Sequence, residues 1–315
     1  MYILGFDIGG TKCAVITARY ENGDVRLIKK EKCSTDTQIP PEAMLEKLMS
    51  MADSILERKP DAIGISCGGP LDSDKGLILG PPNLPGWDYV EIVKILENHY
   101  KVPVKLQNDA NACAVAEWKF GAGKGYNNIV FMTFGTGLGA GLILDGKLYN
   151  GTNGNAGEVG HIRLHQTGPV GFGKTGSFEG FCSGGGLAQL GYTMALEAIK
   201  AGKQPLYFKE GMTEKDVTAK SVAIAAKEGD ETALEVYRTS GKYLGKGLSI
   251  IIDILNPEVV IIGSIFSRDR ELLWSAAEEE IKKEALSPSA DVCKVVVSGL
   301  GEQIGDFASI ATALL

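Results

Sequence analysis

Three observations make this chain an α/β protein of two domains. Stretches of β-forming residues alternate with helical stretches from end to end, the signature of strand–helix units. Its 315 residues exceed what one ordinary hydrophobic core supports. A β–Gly-Thr–β hairpin also occurs twice, at Gly9-Gly10-Thr11 and at Gly135-Thr136-Gly137, which marks an internal duplication. Two similar half-domains are expected, each offering its turn to a cleft between them.

The first strand covers residues 2–8, apolar except for Asp7, and runs into Gly9-Gly10-Thr11-Lys12 before residues 13–17 resume a strand. Such a turn exposes N–H groups and a hydroxyl that can grip phosphate oxygens. It can equally be a plain hairpin. It is neither the phosphate loop G-x-x-x-x-G-K-[ST] nor G-x-G-x-x-G. A strand over residues 25–30 follows. Leu45, Leu48, Met49, Ala52, Ile55 and Leu56 recur at helical spacing, and core packing accounts for them. A strand over residues 61–67 ends in Cys67-Gly68-Gly69-Pro70, and a proline-rich loop, residues 80–87, contains Asn83. Loops this long and stiff often line binding sites.

After a helix over residues 90–98, a strand at 102–106 hands over to a helix at 110–120. Gln107-Asn108-Asp109 stand at the junction. In open α/β sheets ligands bind at that end of the strands, although Asp109 is also a residue type that caps helices. The second hairpin pairs residues 129–134 with 138–144. The glycine-dense stretch 149–186 carries Glu158, His161 and Glu179, and a bare linker would not carry such residues. It reads as a ligand-contacting region. Helices are expected at 184–200, 213–227, 232–255, 269–284 and 306–315, with strands at 259–262 and 294–297.

Composition limits the function classes. Lys and Arg number 32 against 39 Asp and Glu, a net charge of −7. With no basic run, a nucleic-acid partner is not expected. Six scattered cysteines with no C-x-x-C pair suit buried thiols in a reducing compartment. No signal peptide is expected from residues 1–8, which read as a strand carrying Asp7. The apolar stretch 250–263 is broken by Asp253, Asn256, Pro257 and Glu258, so no membrane span is expected, and a cytoplasmic location is.

Taken in order, Gly5-Phe6-Asp7-Ile8-Gly9-Gly10-Thr11-Lys12, Asn108-Asp109-Ala110-Asn111-Ala112, residues 133–141, Ala156-Gly157-Glu158-Val159-Gly160-His161, Gly229-Asp230 and Asn256-Pro257-Glu258-Val259-Val260 resemble the ROK family (repressors, open reading frames and kinases). The resemblance runs the length of the chain. It implies the actin-like ATPase (ribonuclease H-like) fold, two similar α/β domains around a central cleft, with boundaries at 1–117 plus about 302–315 and at 118–301. It implies ATP-dependent phosphorylation of a hexose, glucose or a relative such as N-acetylmannosamine or N-acetylglucosamine. Asp109 is then the general base on the sugar hydroxyl, with Asn108, Glu158, His161 and Glu179 on sugar hydroxyls and Gly69 and Asn83 as further contacts. Gly9, Gly10, Thr11, Lys12, Gly135, Thr136 and Gly137 would hold the nucleotide phosphates, with Asp7 near Mg²⁺. On the residues alone, Asp7 could be a buried strand-end carboxylate and Lys12 a solvated charge. A homodimer is implied. The alternative is a catalytically weak, sugar-binding regulatory protein, although no DNA-binding helix-turn-helix precedes the first strand.

The chain departs from the family pattern at the zinc site, a His followed by C-x-C-G-x-x-G-C-x-E. The three cysteine positions are Val170, Phe172 and Ser177. Valine and phenylalanine cannot ligate a metal and serine is a poor zinc ligand. No zinc is expected, and apolar packing by Val170 and Phe172 is expected to hold the loop. A substitute site from His161, His165 and Cys182 is the remaining alternative. A second departure, Gly263-Ser264, lies where the family usually has a longer glycine run near the nucleotide.

Overall fold

The computed structural model describes residues 1–315. The first sheet is built from β1 (Tyr2–Ile8), β2 (Lys12–Glu21), β3 (Asp24–Ser34), β4 (Ala62–Cys67) and, further on, β7 (Val104–Asn108). Between these lie α1 (Pro41–Ile55), two short strands β5 (Leu71–Asp72) and β6 (Leu77–Ile78), and α2 (Ile92–Tyr100). The helix α3 (Asp109–Phe120) follows β7 directly. The sheet order is β3-β2-β1-β4-β7. The first three strands are antiparallel, and β4 and β7 run parallel to β1.

A second sheet repeats this order. It comprises β8 (Ile129–Phe134), β9 (Leu138–Leu144), β10 (Lys147–Leu148), β13 (Val259–Ile262) and β14 (Lys294–Val297), in the order β10-β9-β8-β13-β14. In each sheet the hairpin beyond the glycine turn closes in a tight two-residue turn with both φ angles positive: Asn22-Gly23 (53° and 87°) and Asp145-Gly146 (49° and 69°). Asn-Gly and Asp-Gly favour this turn because they tolerate the left-handed region. It extends β2 and β3 well beyond the expected 13–17 and 25–30. The duplication read from the sequence is therefore present in the topology.

The remaining elements are β11 (Val170–Gly171), β12 (Lys174–Thr175), α4 (Phe178–Phe181), α5 (Gly184–Lys200), α6 (Ala219–Lys227), α7 (Glu231–Leu255), α8 (Ile265–Glu284), α9 (Ser287–Val292) and α10 (Ile304–Thr312). The helix expected over 213–227 is two pieces, a single 3₁₀ turn at Glu214–Asp216 and then α6. Thr213 and Thr218 each form a capping box with the residue three positions on. Two such start signals in six residues restart the helix rather than continue it. The helix α8 begins at Ile265 rather than 269, and its backbone leaves helical geometry at Asp269 (φ −129°, ψ 28°). There the Asp269 carboxylate accepts from Lys227 Nζ at 2.7 Å.

The chain divides into two compact units, Met1–Phe131 with Gly141–Ala156 and Gly299–Leu315, and Met132–Ala140 with Gly157–Ser298. In the first, the aliphatic face of β1, β2 and β4 packs with Met44, Leu45 and Leu48 of α1 and Ile92 and Leu96 of α2 in one core cluster. On the other face lies α10. A Cβ added at Gly64 of β4 would collide with the Ser309 carbonyl and lie 2.6 Å from the Ala313 nitrogen, so the helix crosses the sheet where only glycine fits. No helix is long and apolar enough to cross a membrane.

Candidate functional site

In the first unit, β1 delivers Asp7 and ends in the Gly9–Lys12 turn. The turn is internally bonded. Gly9 N–H donates to the Lys12 carbonyl at 3.1 Å, and the Thr35 hydroxyl donates to the Gly9 carbonyl at 2.6 Å. Thr11 and Lys12 remain exposed. A Cβ at Gly10 would collide with Asn83 and lie 2.6 Å from its carbonyl oxygen, so the proline-rich loop is seated on the turn. Gly10 and Asn83, far apart in sequence, are brought together.

Asp7 lies against a partner that sequence reasoning missed. A Cβ at Gly305, at the start of α10, would stand 3.0 Å from Asp7 Oδ2, and the next residue is Asp306, buried and paired with Lys30 of β3 at 2.6 Å. Burial, then the Asp306 and Asp109 carboxylates, push the Asp7 carboxyl up to about 6, and Lys30 partly offsets them. No local pattern in the sequence connects residues 30 and 306. Mg²⁺ needs only one or two carboxylates besides phosphate oxygens and water, so Asp7 fits the role assigned to it.

The strand β7 ends at Asn108, whose Nδ2 lies 3.1 Å from where a Gly69 Cβ would be. Pairing of Cys67 with Asn108 across β4 and β7 sets this proximity. The helix cap falls on Asn108, not on Asp109. The Asn108 carboxamide oxygen accepts the Ala110 N–H at 3.0 Å, and Asp109 is the first helical residue, with Oδ1 accepting the same N–H at 2.8 Å. Capping thus uses the Asn108 oxygen, and its amide nitrogen faces Gly69. Beneath them, Gln107 is 4% exposed, and its Oε1 accepts from Asn108 N–H (3.0 Å), the Ser73 hydroxyl (3.2 Å) and Asn111 Nδ2 (3.3 Å). Asn111 Nδ2 also donates to Asn150 Oδ1 at 3.0 Å. These buried amides fix the backbone where β7 becomes α3. At the other end of α3, the fully buried Glu117 accepts from the N–H groups of Ala122 (2.7 Å), Gly299 (3.2 Å) and Leu300 (3.1 Å). It ties α3 to the segment that leads into α10.

In the second unit, Gly135 N–H donates to the Gly137 carbonyl at 3.0 Å, and the Gly135 carbonyl accepts Gly184 N–H at 2.8 Å. Glu179 of α4 reaches this turn: Oε2 accepts Leu138 N–H at 3.0 Å and lies 2.7 Å from a Cβ placed on Gly137. Glu158 and His161 share the single 3₁₀ turn Val159–His161 and its cap. A Cβ on Gly160 of that turn would lie 3.3 Å from Glu179 Cβ. The 3₁₀ turn that carries Glu158 and His161 thus packs at Gly160 against Glu179, which itself reaches Gly137. Ser264 takes φ 59°, ψ −118° at the start of α8, a conformation that glycine adopts without strain.

The zinc positions do not fit a metal. Ser177 is fully buried as the N-cap of α4, accepting Gly180 N–H at 3.1 Å. Val170 is 44% exposed and Phe172 69%. Apolar packing, expected to hold this loop, therefore does not. Two of the proposed substitutes have other partners. Cys182 is buried and donates to the Ser240 carbonyl at 3.5 Å, while His165 Nδ1 bonds at Thr167.

The family model described as ROK family matches residues 3–312. A glucokinase of Halalkalibacterium halodurans is 32% identical over 314 residues, covering 96% of this chain and 92% of its own. A xylose repressor of Caldicellulosiruptor bescii is 29% identical over 309 residues, covering 96% of this chain and 75% of its own. The crystal structure of a ROK family glucokinase from Streptomyces griseus, in complex with glucose and AMPPNP, superposes with a TM-score of 0.79 at 28% identity, covering 100% of this chain and 99% of that one. The α/β architecture of the actin-like ATPase fold is shared with that structure.

Proposed function

The chain belongs to the ROK family, and on that premise we propose that it transfers the γ-phosphoryl group of ATP to a hydroxyl of a hexose, glucose or an N-acetylhexosamine. The observation that carries this reading is the β7–α3 junction, where Asn108 caps the helix and Asp109 takes its first position. Asp109 is the general base: its carboxylate hydrogen-bonds the attacking hydroxyl and takes the proton as the oxygen–phosphorus bond forms and the bond to ADP breaks. Phosphoryl transfer passes through a loose transition state, so most of the protein's contribution is positioning and charge neutralisation. Asn108 Nδ2, Glu158, His161 and Glu179 supply donors and acceptors for the remaining hydroxyls, with Gly69 and Asn83 beside them. The Gly9–Lys12 and Gly135–Gly137 turns take the phosphate oxygens. Asp7 would hold Mg²⁺, which would supply charge neutralisation on the phosphates.

A second reading is binding without turnover, and the likeness to a repressor favours it. A coupled ADP-release assay over a sugar panel with ATP and Mg²⁺, read as kcat/KM, separates the two. Sugar-dependent ADP release supports the kinase; sugar binding with no release on any hexose supports the sensor. The reading includes a cytoplasmic homodimer, which sedimentation at micromolar concentration tests.

A further inference from the structure

Something must hold the Val170–Thr175 hairpin where the metal positions are lost, and its two outward hydrophobic side chains do not. The strands β11 and β12 pair only through Val170 with Thr175 and Gly171 with Lys174. The turn places Phe172 at φ 44° and Gly173 at φ 73°, and a phenylalanine in the left-handed region opposes the hairpin rather than stabilising it. A hairpin this short is not stable alone.

What does hold it is polar. Gln189 of α5 lies alongside β11, with Oε1 accepting Val170 N–H at 2.9 Å and Nε2 donating to the Val170 carbonyl at 2.9 Å. The carboxamide therefore acts as a third strand one peptide long. Its orientation is unambiguous, because the reversed amide would oppose donor to donor and acceptor to acceptor. Behind the hairpin, a Cβ on Gly171 would fall 2.8 Å from both Ser177 Oγ and Glu179 Cβ, so β11 rests on the turn that carries Glu179. In front, Lys174 Nζ donates to the His161 carbonyl at 2.6 Å, and the Phe172 ring stands edge-on to the His161 ring at 5.5 Å. Both His161 and Glu179 are thus seated on the hairpin.

We infer that Gln189 is a positioning residue, a metal-independent clamp whose two hydrogen bonds to Val170 hold the hairpin on which His161 and Glu179 are seated. The role of those two residues toward sugar rests on the kinase reading; the clamp does not. Loss of two neutral hydrogen bonds sets the expected scale at roughly tenfold.

The test uses the full-length protein and Gln189→Ala. Amide exchange over residues 170–176 is expected to speed up about tenfold. Sugar KM is expected to rise roughly tenfold, with kcat and ATP KM held within about twofold, the split that distinguishes positioning of sugar contacts from general damage. A zinc-selective chelator, with Mg²⁺ in excess, is expected to leave the wild-type rate unchanged. Unchanged exchange, an unchanged sugar KM, equal losses in kcat and ATP KM, or a wild-type rate that falls with removal of stoichiometric zinc each overturn the inference. Should Gln189→Ala fail to fold, Gln189→Met keeps the length and neither bond, and the same readings decide. If the wild type phosphorylates no hexose, the kinase reading fails while the clamp is judged on exchange and on sugar Kd.

Discussion

Replacing Asp7 with asparagine should make the ligand-free protein more stable at neutral pH while disabling it. The carboxyl is raised from an ordinary 3.8 to about 6. An acid whose native pKa lies above its unfolded one binds more protons when folded, so its contribution to stability falls as pH rises between those two values. Above about pH 6 the ionised Asp7 costs up to ~3 kcal/mol, taking ~1.4 kcal/mol for each tenfold change in proton affinity. Partial exposure reduces this to about 2 kcal/mol. Asparagine has nearly the same shape and no charge. Urea unfolding of both proteins without nucleotide or Mg²⁺ should give equal stabilities near pH 4, with Asp7→Asn ahead by about 2 kcal/mol at pH 7. Mg²⁺ and ATP should then narrow the gap by stabilising the wild type alone. A gap that stays the same from pH 4 to pH 7, or a wild type ahead at pH 7 without ligands, would refute the placement of Asp7 beside carboxylates that Lys30 only partly offsets.

Other expectations follow from single contacts. Asp109→Asn should lower kcat by a factor of about 10² to 10⁴, the range of a lost general base, with sugar Kd by calorimetry within a fewfold of wild type; turnover near wild type would remove Asp109 from the mechanism. Ser264→Gly relieves a left-handed serine and should raise stability in urea by about 1 kcal/mol, after the added unfolded-state entropy of glycine is subtracted. A decrease would show that the serine hydroxyl contributes more than its backbone costs. Glu117→Gln keeps one of two acceptor oxygens facing three N–H donors and should cost roughly 2–3 kcal/mol; a change below about 0.5 kcal/mol would mean that solvent satisfies those donors.

Local and repetitive features could be read from the residues. Two hairpins with glycine turns announced two equivalent sheets, and the β7–α3 junction was visible as a change from β-formers to alanine-rich helix. Even Asn22-Gly23 and Asp145-Gly146 were legible turn signals that lengthen the strands around them. What could not be read depends on contacts between distant residues. Asp306 acts on Asp7 only because α10 crosses the first sheet, and Lys30 reaches it across 276 positions of sequence. The assignment of the cap is subtler: Asn108 and Asp109 are both good capping types, and only the strand register decided between them. The hairpin at 170–175 shows the opposite difficulty. Val170 and Phe172 look like core residues by type, yet both side chains are turned outward, and the hairpin is held by polar contacts, among them a glutamine whose sequence position carries no signal.

The return of α10 to the first sheet also sets an order of events during synthesis. The strands β1 and β4 are made well before the helix that covers them, and the glycine faces at Gly5 and Gly64 stay uncovered until Ser309 arrives. The contiguous segment Gly157–Ser298 can meanwhile acquire most of its partners as it leaves the ribosome, where domains fold as units during elongation. The unit that contains Asp109 starts before Gly157–Ser298 is made and cannot complete its fold until after it. One face of its nascent sheet therefore stays open while all of Gly157–Ser298 is made.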